Sequence, residues 1–384
     1  MHYRKLGNTG ITVSEIGFGG WAIGGAAEAS GTPLGWGKTN DDESLAAIRR
    51  ARELGVTFFD TGDNYGFGRS ESLLGIVLSR RREEVVIATK VGVVRDSEGK
   101  LRKDFSRAHI SHAVDGSLKR LRTDYIDVYQ LHNPTLEDLH RDDIHEAMDR
   151  LQEVGKIRFW GVSITTPDEG IEIVNRGWGY TLQVLYNVLN QAPAEELFPL
   201  AKQKGYGIIA RVPLASGLLS GKFRNDTVFT KDDVRQNFLT PKRLEEVIPR
   251  VDEAKSIIGG TTRSLAEGAI RFVLANECVS TVIPGAKNVR QSFLTPKRLE
   301  EVIPRVDEVK SIIGGAAARS LGEAALRFVL AHDAVSTTIP GARNVRQVEM
   351  NVAAAESRLP ADVVDKLRAR LGDYNFYQRH GIRI

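Results

Sequence analysis

The sequence predicts an α/β protein of the (β/α)8 barrel type, on three observations. Apolar runs of strand length alternate with helix-length amphipathic segments along most of the 384 residues. Several of the helical segments stop at a glycine just before the next run. Polar residues then collect at the C-terminal end of each successive run, and not at one glycine-rich turn. That last pattern separates a closed barrel from an open, doubly wound sheet, because a barrel builds its site from the ends of many strands.

The elements follow in order. GFGGWAIGG (17–25) is glycine-rich but lacks the preceding strand, following helix and downstream acid of a dinucleotide fingerprint, so it reads as an opening hairpin and the end of a first strand. DDESLAAIRRARELG is a helix closed by Gly55, and VTFFDTG (56–62) is the strand after it. SESLLGIVLSRR leads into EVVIATKVG (84–92), and SHAVDGSLKRLRT into YIDVYQLH (125–132). HEAMDRLQEVGK, closed by Gly155, precedes IRFWGVSI (157–164). TLQVLYNVLN (181–190) follows, and ELFPLAKQKG, closed by Gly205, precedes GIIARVPL (207–214). Near-continuous apolar strands are expected where both faces of a parallel sheet are covered.

The region after 234 repeats itself. FLTPKRLEEVIPRVDE begins at Phe238 and, letter for letter, again at Phe293, inside units spanning 234–288 and 289–344. Each unit reads as helix, helix, strand and turn. A solenoid needs at least three units, so this is a tandem duplication within a single barrel domain of residues 1–384. The tripeptide VRQ stands at 234–236, 289–291 and 345–347, which suggests a join at that short homology. A ninth strand would upset the coupled tilt and shear of an eight-stranded barrel. The expectation is therefore a barrel with a duplicated helix–helix–strand segment inserted before the last strand. The first copy is taken as the insertion, packed on the barrel or exchanged with another subunit of a homo-oligomer.

Composition excludes several classes. No window approaches the roughly 20 apolar residues of a membrane helix, and MHYRKLGNTG has no apolar signal segment. Cys278 is the only cysteine, which rules out an internal disulfide and fits a reducing cytoplasm. With a net charge of +4 and bases scattered among acids, nothing resembles a nucleic-acid tract. No metal-ligand spacing, nucleophile elbow or phosphate loop is present.

Four residues form a workable proton-transfer group: Asp60 and Tyr65 in FFDTGDNYG, Lys90 in IATKVG and His132 in YQLHNP. A tyrosine at its ordinary pKa of roughly 10 is a weak acid at neutral pH. A nearby ammonium is expected to lower that value, a carboxylate to hold the ammonium, and a histidine to orient a carbonyl oxygen. Such a set protonates the alkoxide formed when hydride reaches a carbonyl carbon.

FDTGDNYG with SESLLG, ATKVG, YQLH, GKIRFWGVS and IPGARNVRQ, in this order and spacing, resembles the aldo-keto reductase superfamily over the whole chain apart from the extra copy. GKF before the inserted helix resembles the branch of bacterial inositol-catabolism reductases. The resemblance implies bound NADP(H), reversible reduction of a small aldehyde or ketone, and a catalytic tetrad on Asp60, Tyr65, Lys90 and His132, with Tyr65 as general acid. It implies a nicotinamide amide held by Ser163 and Gln183. Ile164 stands where the family usually has Asn, and Arg211 where it has a stacking aromatic. PLASGLLSGK (213–222) matches the pyrophosphate loop through Leu214, Ser216, Gly217, Leu219 and Lys222. The 2′-phosphate pattern falls on Gly341, Arg343, Gln347 and Asn351 of the second copy; the first copy has Thr295 in place of the Asn. The second copy is accordingly expected to supply the final strand and the cofactor site. Trp21, Trp36 and Phe67 are either core or substrate pocket. A nucleotide-binding regulatory protein of the same fold, like channel-associated β-subunits, is the alternative to an enzyme.

Overall fold

The continuous apolar runs become strands buried on both faces, and eight of them lie parallel in one curled sheet. In chain order they are β1 (Phe18–Gly19), β2 (Phe58–Asp60), β3 (Val86–Val91), β4 (Ile126–His132), β5 (Ile157–Ser163), β6 (Thr181–Leu185), β7 (Gly207–Arg211) and β8 (Thr281–Ile283). Each pairs with its neighbour in sequence, the strand order of a (β/α)8 barrel. These positions come from a computed structural model, which describes residues 3–14, 17–258, 265–276, 278–279, 281–283 and Val345. Among the described residues no helix is long and apolar enough to cross a membrane.

Alternation along the strands divides the interior into two levels. Phe58, Val86, Ala88, Val128 and Ile209 form an apolar inner cluster with Leu6, Ile11 and Val13. Those last three belong to an antiparallel hairpin (Tyr3–Lys5 with Thr12–Ser14) that caps this end. Two residues further along the same strand faces stand Asp60, Lys90, Gln130 and Arg211, so the inner face turns from apolar to polar toward the C-terminal end. The opposite faces, including Phe59, Ile87, Leu131, Val162, Leu182 and Ala210, join the larger core beneath the helices.

Those helices are α1 (Asp41–Glu53), α2 (Arg69–Leu78), α3 (Arg107–Leu121), α4 (Asp142–Glu153), α5 (Pro167–Arg176) and α6 (Leu197–Lys204). Their boundaries have local causes. The Asn40 side chain accepts from the Glu43 amide at 3.0 Å, and Thr166 with Glu169 forms a reciprocal capping box. Gly205 ends α6 in the left-handed region, and Gly55 and Gly155 turn the chain after α1 and α4 in the same way.

The repeat is described in part. Its first copy forms α7 (Pro241–Ile258), α8 (Leu265–Leu274) and β8. Leu265, Ala269, Phe272 and Val273 are buried in the main core, and Thr281, Val282 and Ile283 align with Ile209, Ala210 and Arg211 of β7. The described strand beside β7 is thus Thr281–Ile283 of the first copy, the copy expected to be the insertion. The second copy, 289–344, lies outside the described residues.

Close backbone approach limits one strand position sharply. A Cβ on Gly161 of β5 would stand 2.1 Å from Thr181 Oγ1 and 2.4 Å from Thr181 O on β6. Gly161→Ala must force these strands apart and is expected to cost about 1–3 kcal/mol, the range for overpacking a close-packed interior. Urea unfolding of the purified variant checks this by a lower midpoint at unchanged slope.

Candidate active site

The polar level of the barrel is organised around one buried ion pair. Lys90 Nζ donates to Asp60 Oδ2 at 2.7 Å and to Thr61 O at 2.6 Å, with the lysine fully buried. Asp60 Oδ1 accepts from Gln183 Nε2 at 2.9 Å and Gln130 Nε2 at 3.2 Å. Burial, the largest influence, pulls the Lys90 pKa down, but Asp60 and Tyr65 outweigh it, and the ammonium ends above its ordinary value.

Tyr65 is placed by the turn between β2 and α2. Its amide donates to Gly62 O at 3.0 Å and its carbonyl accepts from Ser70 N. Gly66, Phe67 and Gly68 then run consecutively through the left-handed region. A side chain at 66 would strike Gly24 O at 2.2 Å, so only glycine fits there. The Lys90 ammonium lies 4.7 Å from the Tyr65 ring centroid. Trp21 meets that ring edge-on at 4.9 Å, and His132 at 6.0 Å.

The electrostatics of this group differ in one respect from the sequence expectation. Burial raises the Tyr65 pKa above 10 and outweighs the lowering by Lys90; Asp60 adds to the rise. The phenol therefore holds its proton firmly at neutral pH. His132 is pushed well below its ordinary value by burial first, then by Lys103, Lys90 and Arg211, and is neutral. Its Nδ1 is buried without a protein partner.

The expected cofactor residues are partly gathered here. The Ser163 hydroxyl at the end of β5 donates to Asn133 Oδ1 at 2.8 Å, while Gln183 is committed to Asp60. Arg211 Nη2 donates to Ile164 O at 3.1 Å, so the guanidinium reaches across the strand ends to the residue that replaces the family Asn. Leu214, Ser216, Gly217 and Leu219 lie on one tight loop after β7, with Leu218 and Leu219 turned into the core. Lys222 is exposed just beyond it. Phe67 is 40% exposed beneath the Arg95 guanidinium. Trp36 sits elsewhere, 5.7 Å from the Arg235 guanidinium. Gly341, Arg343, Gln347 and Asn351 lie outside the described residues. Gln130, Thr61 and Asn133 were not anticipated. Gln130 was findable, being a polar residue two positions before His132 and so on the same strand face. Asn133 was findable as the first residue past the strand end.

Behind the site lies a second polar cluster. Glu71 Oε1 accepts from Thr89 Oγ1 at 2.6 Å and Glu71 Oε2 from Arg120 Nε at 2.6 Å. Asp63 Oδ1 and the Tyr129 hydroxyl are buried beside them without partners. Burial, then Glu71, raises the Asp63 pKa from 3.8 to about 8, against the Asn64 amide, Arg120 and Lys90. The folded state then holds this proton more tightly than the unfolded chain does. Its contribution to stability is fully present below the ordinary carboxyl pKa and is lost as pH rises to about 8. Thermal melts should fall from pH 6 to pH 8 with a slope of up to about 1.4 kcal/mol per pH unit from this group. Asp63→Asn, which cannot ionise, should lose that part of the slope. Equal slopes in the two proteins would show that Asp63 is ionised throughout.

With this geometry in place, comparison with known proteins is informative. The model of the aldo/keto reductase family matches residues 15–293 and again 291–371, the second match restarting within the repeated segment. The aldo-keto reductase YhdN of Bacillus subtilis is 33% identical over 300 residues, covering 76% of this chain and 86% of that protein. A probable voltage-gated potassium channel β-subunit of Oryza sativa is 30% identical over 333 residues, 82% of this chain and 97% of that protein. The holo form of the aldo-keto reductase AKR11C1 from Bacillus halodurans is 30% identical, with a TM-score of 0.62 over 96% of each chain. The chain belongs to the aldo/keto reductase family.

Proposed function

We propose that this protein is an NADP(H)-dependent carbonyl reductase that interconverts a small aldehyde or ketone with its alcohol. The observation that carries the reading is the convergence of Asp60, Tyr65, Lys90 and His132 from β2, β3, β4 and the turn after β2. Bound NADPH would supply the hydride. The residues at the strand ends suit such a cofactor: a Ser163–Asn133 pair, a guanidinium on Ile164, and a loop whose Gly217 leaves room where a Cβ would meet Phe223 at 3.1 Å. Arg343, Gln347 and Asn351 complete the reading as the 2′-phosphate site.

Each residue's part follows from its environment. Tyr65, with its pKa raised by burial, holds a proton at neutral pH and delivers it to the carbonyl oxygen. Lys90 remains charged beside the phenolate left behind and stabilises it, and Asp60 keeps Lys90 in place. Gln130 and Gln183 fix Asp60 in turn. His132 is neutral, so it donates a hydrogen bond to the carbonyl oxygen without adding a charge. The same proton balance requires deprotonated Tyr65 for alcohol oxidation, so oxidation is the direction that gains as pH rises.

The channel β-subunit among the relatives keeps a second reading in view, a cofactor-binding regulatory protein. The complete tetrad favours the enzyme. A homo-oligomer formed through the extra copy, in the cytoplasm, belongs to the same proposal, and light scattering against concentration tests its assembly. The chemistry is tested by following NADPH absorbance with a panel of small aldehydes. Tyr65→Phe removes the proton donor and should lower kcat by roughly a hundred- to ten-thousand-fold while NADPH still binds. A wild type that binds NADPH yet shows the same zero rate as Tyr65→Phe would favour the regulatory reading.

A further inference from the structure

The loop after β7 is built from backbone that resists its own conformation. Val212, Ala215 and Ser216 have positive φ without being glycine, at 56°, 47° and 56°, and Gly217 follows at 98°. Such residues are strained and persist only where the surroundings fix them. Here Asn187 Nδ2 donates to Val212 O at 3.0 Å, Leu218 and Leu219 anchor the loop in the core, and one buried arginine reaches the strained Ser216 itself. Arg235 is buried, and its Nη1 donates to Ser216 O at 3.4 Å. Its other nitrogens grip Asp233 as a fork, Nε to Oδ1 at 2.9 Å and Nη2 to Oδ2 at 2.6 Å.

Three rings enclose the guanidinium: Phe229 at 5.0 Å, Phe223 at 5.3 Å and Trp36 at 5.7 Å. Phe223 also fills the space a Cβ on Gly217 would need. The Asp233 backbone bridges Trp36, and Val234 N donates to Gly35 O at 3.0 Å. One side chain thus joins three segments that are distant in sequence: 33–37 after β1, the strained loop after β7, and 223–237 beyond it.

We propose that Arg235 is a positioning residue for the cofactor, holding the strained loop at 214–221 in the shape that receives the phosphates before they arrive. This rests on the NADP(H) reading above. A preformed loop spares the cofactor the cost of ordering it, so the arrangement appears as affinity. It also accounts for the first of the three VRQ tripeptides. Only there does Asp precede the Val; Asn288 and Asn344 stand at the equivalent places, and an amide cannot offer the two-oxygen anionic fork.

NADPH binding, followed by the quenching of tryptophan fluorescence, tests this on the full chain. Arg235→Gln is expected to raise the Kd and the KM for NADPH by about tenfold, with a much smaller change in kcat at saturation, as lost preorganisation predicts. Millimolar guanidinium should restore part of the affinity in Arg235→Ala by refilling the cage. If Arg235→Gln fails to fold, Asp233→Asn keeps the guanidinium but breaks the fork, and is expected to weaken NADPH binding by a smaller factor. Lower thermal stability with wild-type NADPH affinity in the variant that folds would overturn the proposal and leave the cage purely structural. A wild type that binds no NADPH would instead refute the cofactor reading on which it rests.

Discussion

A lysine ammonium held entirely out of water is the constraint on which the rest of this structure depends. An unpaired buried charge of this kind costs several kcal/mol, and removing one partner of a buried pair typically costs about 3–5 kcal/mol. Lys90 is tolerated because Asp60 Oδ2 and Thr61 O accept hydrogen bonds from its ammonium, and Asp60 is tolerated because Gln130 and Gln183 donate to its other oxygen. That network occupies one level of the barrel across β2, β3, β4 and β6. The strands must therefore keep a register that brings their polar positions to the same height. The apolar level below, capped by the N-terminal hairpin, keeps water from that side. Tyr65 inherits its chemistry from this arrangement, since the burial that raises its pKa also strengthens its coupling to Lys90.

The strands and the four convergent residues were legible because both depend on periodicity. A strand sends alternate residues to one face, so Asp60, Lys90 and His132 at the ends of apolar runs had to meet at one end of a closed sheet. What could not be read was the outcome of competing tertiary forces. The sequence sets an ammonium beside a phenol, which predicts a lowered pKa; the structure adds burial, which is larger and reverses the sign. Gln183 lies at the right height beside Ser163, yet its amide turns to Asp60, the nearest buried carboxylate. Trp36 offers an aromatic face to a pocket, but Arg235 claims it through a contact 199 positions away in the chain. Rotamer choice and desolvation decided each of these, and neither is encoded in local spacing.

A repeated sequence takes its role from its neighbours: the described strand beside β7 comes from the first copy of the repeated segment. VSTVI and VSTTI carry nearly the same strand propensity, and only one can lie beside β7. Among the described residues that place is held by Thr281–Ile283, with Val282 aligned to Ala210. The tripeptide VRQ makes the same point at the scale of one residue. At 234–236 its arginine is buried in an aromatic cage because Asp233 precedes it and Ser216 O lies across from it. Function follows the partners: Arg235 is defined by a carboxylate, a carbonyl on a strained loop and three rings, and the three letters VRQ supply none of these themselves.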